Sequence, residues 1–256
     1  MSMPMGTQGC VVISQPMYFP WVGMLEQIRL CDTFVYYDDV QFSRGGFFNR
    51  VQIKTAHGIR WLTVPLQGLK LGQRINEVQI DNKKDWRRSH RDQLAQAYEN
   101  APFKAEMLSL VDAVFAQDHD IIGDVAQASM NALVDYFAPI GAGKPFLVSS
   151  RMEVAGASSE RVIDVCAALH AKRYLTGHGA RRYLDHEGFE QRSMSVDYID
   201  YGLQPYPQDH GAFTPYVSAL DLIAQCGREG LSHIKGTQVP WRTFLARHRP
   251  PEQGES

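Results

Sequence analysis

The sequence predicts an α/β fold: a three-layer core of mainly parallel strands, interrupted by an inserted hairpin and a helical block. Three observations predict it. Residues 11–37 read strand, helix, strand. Residues 50–66 hold two alternating runs around a turn. From residue 85 the apolar spacing becomes helical, and after about residue 138 strands and helices alternate again.

Val11–Ile13 is a short apolar run, read as a buried strand. Pro16 and Pro20 bracket a turn, with Pro20 suited to the first position of the next helix. Trp21, Met24, Leu25 and Ile28 then recur at helical spacing, with Glu26, Gln27 and Arg29 opposite. Thr33–Tyr37 is β-branched and aromatic, a second strand. This βαβ order implies parallel pairing and a Rossmann-like core, with ligands met at the carboxyl ends of the strands. Ser14-Gln15 and Asp38-Asp39-Val40-Gln41 occupy those ends.

Arg50–Leu66 reads as a hairpin around Ala56-His57-Gly58, and Ile75–Ile80 as a further strand. Trp86, His90, Leu94 and Ala97 share one helical stripe, which Asn100-Ala101-Pro102 stops. Helices over Lys104–Gln117 and Asp120–Phe137 follow. Phe146–Ser149 is a strand running into Ser149-Ser150-Arg151. Ser158 or Ser159 caps a helix to Leu169. Arg173–Thr176 is a strand leading into Gly177-His178-Gly179 and a helical turn at Ala180–Leu184. Val196–Tyr201 is a strand and Pro215–Cys226 a helix ended by Gly227. The expected organisation is a flexible N-terminus over 1–9, one α/β domain over 10–245 with the helical block at about 85–138, and a disordered tail over 246–256.

Composition narrows the function. The 256 residues are 44% hydrophobic and 21% charged, with a formal net charge of −2, so nucleic acid is not an expected partner. No apolar run reaches ~20 residues, so no membrane span is expected. The first residues, MSMPMGTQG, lack a basic stretch followed by an apolar core, which predicts a cytoplasmic protein. Cys10, Cys31, Cys166 and Cys226 are far apart and sit among apolar residues, reading as structural thiols rather than metal ligands. His186 and His210 lack metal-ligand spacing and read as surface residues; no metal is predicted. There is no Walker loop, dinucleotide glycine fingerprint, His-Glu-x-x-His or Gly-x-Ser-x-Gly.

Polar residues at predicted strand ends remain as candidates. Asp38 and Asp39 either reach a ligand or form a turn, and with His90 they are the candidate catalytic acids and bases. Arg50, Lys54 and Arg151 would grip phosphate or carboxylate, Arg in bidentate fashion. Gln15, Tyr18, Gln41, Asn49, Ser150, Gly177, His178, Tyr183 and Gln208 complete the candidate substrate-binding set. A small-molecule substrate is the expected partner.

These residues together resemble a family. Gln15-Pro-Met-Tyr-Phe-Pro-Trp-Val-Gly23, Asp32, Phe34-Val35, Asp38-Asp39-Val40-Gln41-Phe42 and Asn49-Arg50 look like the opening of the WbqC-like family of bacteria. Val64-Pro65, Trp86 with His90, Ser149-Ser150, Tyr174-Leu175-Thr176-Gly177, Tyr206-Pro207-Gln208 and Leu220-Asp221-Leu222 continue it to about Gly227. His178 departs from that pattern, which favours a small or polar residue there. The resemblance implies a role in O-antigen, lipopolysaccharide or other surface-polysaccharide biosynthesis, with some members described as glycine transferases acting on amino sugars. The expected function is therefore a transferase that forms an amide between a small acyl or amino-acid group and an amine acceptor, such as a nucleotide-linked amino sugar. The alternatives are a non-catalytic small-molecule-binding protein and an ATP-dependent amide ligase of a natural-product pathway. A second similarity, to pantothenate synthetase, implies a nucleotidyltransferase-like core and makes ATP a possible cofactor. Trp21 and Met24 stand where those enzymes place a histidine pair that stabilises triphosphate charge.

Overall fold

The structure, a computed structural model, describes residues 9–248. The chain opens with β1 (Cys10–Ser14), α1 (Val22–Leu30) and β2 (Thr33–Tyr36). A hairpin follows, β3 (Arg50–Thr55) and β4 (Gly58–Thr63), then a two-residue pair, β5 (Leu66–Gln67) and β6 (Gln79–Ile80). Next come the helices α2 (Trp86–Ala97), α3 (Lys104–Phe115) and α4 (Ile122–Tyr136). The chain re-enters the sheet with β7 (Phe146–Val148), α5 (Ser158–Ala168), β8 (Arg173–Thr176), α6 (His186–Gln191) and β9 (Ser195–Asp200). It finishes with α7 (Ala219–Cys226), β10 (Thr237–Pro240) and α8 (Trp241–Arg247).

Six strands form the central sheet in the order β10-β9-β8-β1-β2-β7. All neighbours pair in parallel except β10, which runs antiparallel to β9. Read from β7, successive sheet strands lie in the order third, second, first, fourth, fifth, sixth, a Rossmann-like arrangement. Its direction of winding reverses between β1 and β8. β1 is apolar from Cys10 to Ile13 because it is covered on both faces. Cys10 and Val12, with Phe34 and Tyr36, join the core beneath Met24, Leu25 and Ile28 of α1. Val11, Ile13 and Val35 face the other way, onto Val162, Val165 and Cys166 of α5, Phe189 of α6 and Phe244 of α8.

The inserted hairpin and helical block are continuous with the first of these cores. Ser129 of α4 donates to the Met17 carbonyl and accepts the Phe19 N–H at 2.8 Å, so the β1–α1 turn is tied to the insert. Among the described residues no helix is long and apolar enough to cross a membrane.

Several local expectations change. Ile75–Ile80 is a 3₁₀ turn over Ile75–Glu77 followed by the short β6, because Ile75 and Val78 are buried under α4 rather than laid along a sheet. Pro20 lies one residue before the N-cap, Trp21. α5 starts after Ala157, and the Ser159 hydroxyl instead accepts the Asp185 N–H at 2.8 Å. α7 begins only at Ala219, capped by Ser218, because Ser218 N donates to Gln52 O of β3 and holds the preceding residues extended. His186 is buried, bonded to the Tyr198 hydroxyl at 2.8 Å and stacked on Trp241, not a surface residue. Residues 246–247 complete α8, where Phe244 anchors the helix in the core; the rest of the predicted tail from 249, and residues 1–8, lie outside the described residues.

Candidate switch-point site

The turn after β1 and the turn after β8 diverge at the point where the winding reverses, leaving a cavity of about 790 Å³. Its floor is Ser14-Gln15 and Thr176-Gly177, the carboxyl ends of β1 and β8. One wall is aromatic: Trp21 lies 4.7 Å from Tyr201 and 5.6 Å from Tyr216, centroid to centroid. The Trp21 indole folds over Gly23, where an added Cβ would sit 2.3 Å from the ring, so a side chain at position 23 would displace this wall. Gln27 of α1 enters below, donating to the Tyr201 hydroxyl at 3.1 Å. Tyr37, Tyr183, His178 and Asp200 complete the polar lining, and no lysine or arginine is among the described lining residues. Asp200 is half exposed and pairs with Arg247 at 3.5 Å.

The rim is held from behind by Glu26. Its carboxylate is buried on the far side of α1 and accepts from the N–H groups of Gly202 and Lys235. An added Cβ at Gly202 or Gly236 would stand within 2.8 Å of that carboxylate, so both glycines are needed for the approach. Burial raises the Glu26 carboxyl above the ordinary range, against the lowering effect of these backbone donors.

The sequence-predicted residues divide between this cavity and other places. Gln15, Gly177, His178 and Tyr183 line it. Asp38 is buried and accepts from Ser149 Oγ (3.1 Å), Ser150 N (3.0 Å), Ser150 Oγ (2.7 Å) and Asn76 Nδ2 (3.3 Å). Asp39 accepts from Ser149 Oγ at 2.6 Å and pairs with the Arg161 guanidinium. Burial pushes Asp39 upward, but its bonds from Arg161 and Ser149 outweigh this and hold its carboxyl below the ordinary range. Both carboxylates therefore clasp the 3₁₀ turn after β7 and helix α5, and neither lines the cavity. Ser150 belongs to the same clasp, and Arg151 is exposed.

His90 and Tyr18 form a separate buried pair, His90 Nδ1 to Tyr18 Oη at 2.9 Å. Burial pushes the His90 imidazole down to about 4, despite a bond to the Thr63 backbone that opposes this. Asn49 Nδ2 donates to Val64 O, and Arg50 stacks 4.2 Å over Trp61. Lys54 is buried and donates to Gln208 Oε1 (3.3 Å), Gly211 O (2.8 Å) and Ala212 O (2.7 Å), so Lys54 and Gln208 together fix the loop over α7. Gln41 is exposed and bridges Arg74. Trp21, Gln27, Tyr37, Asp200, Tyr201 and Tyr216 are lining residues that strand-end reasoning passes over. Trp21 and Gln27 read as ordinary helix residues, and Tyr216 becomes visible only when Ser218 is seen to bridge back to Trp21.

A second groove, about 820 Å³, runs between α3 and α4 over Ala105, Ala113, Ala128 and Ala132, with no lining residue from a strand. Among the described residues no His, Cys, Asp or Glu cluster of three could hold a metal ion.

Comparison with known proteins gives two matches. The model of the WbqC-like protein family matches residues 15–233. An uncharacterized protein of Mycobacterium tuberculosis, Rv1507c, is 32% identical over 228 residues, covering 88% of this chain and 97% of that protein. No solved structure matches. The matched span takes in every residue of the cavity except Ile13 and Ser14.

Proposed function

The chain belongs to the WbqC-like protein family, and on that premise we propose that it transfers a small acyl or amino-acid group, glycine among them, to an amine on a ring-bearing acceptor. The acceptor is a nucleotide-linked amino sugar or a close relative, in bacterial surface-polysaccharide or related biosynthesis. The observation that carries this reading is the cavity at the β1/β8 switch point, walled by Trp21, Tyr201 and Tyr216. Aromatic faces with a few polar groups suit the flat side of a pyranose or a base.

The strand order and the position of the cavity support a nucleotidyltransferase-like core. The lining does not favour triphosphate chemistry. Lys54 is spent on loop carbonyls and Arg50 on Trp61, and the cavity draws no cation from either. A donor that arrives already activated fits better than ATP-driven activation in place. The rival, ligand binding without turnover, draws on the structural engagement of Asp38 and Asp39.

The test is to incubate the protein with glucosamine or UDP-glucosamine and either a glycyl thioester or glycine with ATP, and to seek an amide product by mass spectrometry. Binding is measured in parallel by calorimetry on wild type and on Trp21→Ala. The expected result is an amide from the thioester and about a tenfold loss of acceptor affinity in the variant. Neither binding nor product across the panel sinks the reading. Binding that depends on Trp21 without any product selects the rival.

A further inference from the structure

An amine that is acylated must lose a proton, and Asp38, Asp39 and His90 do not line the cavity. We propose that His178 is the proton acceptor of this site, acting through Nδ1. This rests on the acyl-transfer reading for its chemistry, but its geometry stands independently.

His178 follows β8 directly and lines the cavity. Its Nε2 lies 2.8 Å from the backbone carbonyl of Ile199 in β9. A carbonyl oxygen can only accept, so Nε2 carries the hydrogen. Neutral imidazole has a single N–H, and its lone pair therefore sits on Nδ1. Nδ1 has no hydrogen-bond partner among the described residues. The ring is held on several sides, with centroids 4.9 Å from Tyr201, 4.7 Å from Phe244 and 5.6 Å from His248. A flip of the ring would give up the Ile199 bond, so the lone pair keeps its direction. This is the arrangement a general base requires: one nitrogen anchored, the other free.

No competing acceptor is as free. His178 is the one histidine among the described lining residues, and the one carboxylate there, Asp200, is paired with Arg247. The elements packed on the ring bring Tyr201 and Asp200 from the end of β9, and His248 and Arg247 from α8; Tyr183 comes from its own turn. Asp200 and Arg247 offset each other's charge.

The amine nitrogen forms a bond to the acyl carbon of a thioester or activated ester while Nδ1 takes one of its protons. The bond from that carbon to sulfur or oxygen breaks, with the electron pair leaving on the thiolate or alkoxide. The imidazolium returns the proton to that leaving group.

The experiment begins with ¹⁵N-histidine-labelled full-length protein, with the His178 resonances assigned by their loss in His178→Gln. The expected result is a protonated Nε2 and an unprotonated Nδ1, with Nδ1 shifting when glucosamine is added. A protonated Nδ1 overturns the proposal, whether or not turnover exists. Where an amide product forms, His178→Gln is expected to lower kcat by about 10²–10⁴-fold with KM little changed. A variant with wild-type kcat also overturns it. The proposed tautomer with a glucosamine shift but no product in wild type rejects acyl transfer and overturns the base role with it, leaving Nδ1 as a hydrogen-bond acceptor to the bound amine.

Discussion

His90 and His178 show how burial decides the work of a single residue type. His90 is 4% exposed, bonded to Tyr18, and its imidazole is driven down to about 4 by burial. It is neutral in the folded protein at pH values where the unfolded chain, near 6.5, would bind a proton. Its contribution to stability is therefore complete above about pH 6.5 and is lost as the pH falls toward 4, a change of about 3 kcal/mol. His90→Gln should flatten that segment of the stability profile, read as urea midpoints between pH 4 and 7; an unchanged slope would place the titration elsewhere. Asp38 and Asp39 were open between ligand contact and turn on sequence alone, and the residues that engage them explain why. Ser149 and Ser150 reach them across a separation of 110 to 112 residues, because β7 pairs with β2. Nothing near position 38 in the chain records that pairing. The inward placement of His90 was legible, because Trp86 lies on the same helical stripe, but its bond to Tyr18, 72 residues away, was not.

Among the elements, α1 is organised by Glu26 as much as by its apolar stripe. Helical spacing assigns Glu26 to the polar side, yet it is 1% exposed. Two segments, 202 and 235–236, close over it and supply its donors. Glu26→Gln replaces an all-acceptor group by one with N–H groups facing backbone N–H, leaving buried donors unmet at a cost of about 2 kcal/mol. The expected outcome is a lower Tm with faster amide exchange at Gly202 and Lys235, and weaker acceptor binding through the loosened Tyr201. Unchanged exchange at both amides would show that the loops are held by other contacts. The long, periodic elements α2, α3 and α4 and the hairpin were readable because their patterns are local. Those that escaped, β5, α6, β10 and α8, are seven residues or shorter and take their form from tertiary neighbours. β10 is defined by antiparallel pairing with β9, and α8 by Phe244 and Trp241 inserting beside His178 and His186.

For the molecule as a whole, the α/β class followed from one βαβ unit, but the position of the cavity did not. It required the knowledge that β8, and not a strand of the insert, lies beside β1. That adjacency has a consequence for synthesis. β1 leaves the ribosome well before the strand that covers one of its edges, which begins at Arg173. At ordinary elongation rates, roughly 8 to 30 seconds separate the two. During that interval a strand of five residues, CVVIS, built for burial on every side, has an open flank. Ribosome-bound chains arrested shortly after Val148 should therefore be protease-sensitive or chaperone-bound at residues 10–14, and chains arrested well beyond Asp200 protected. Equal protection in both would mean that the growing chain shields this edge before its permanent neighbour is made.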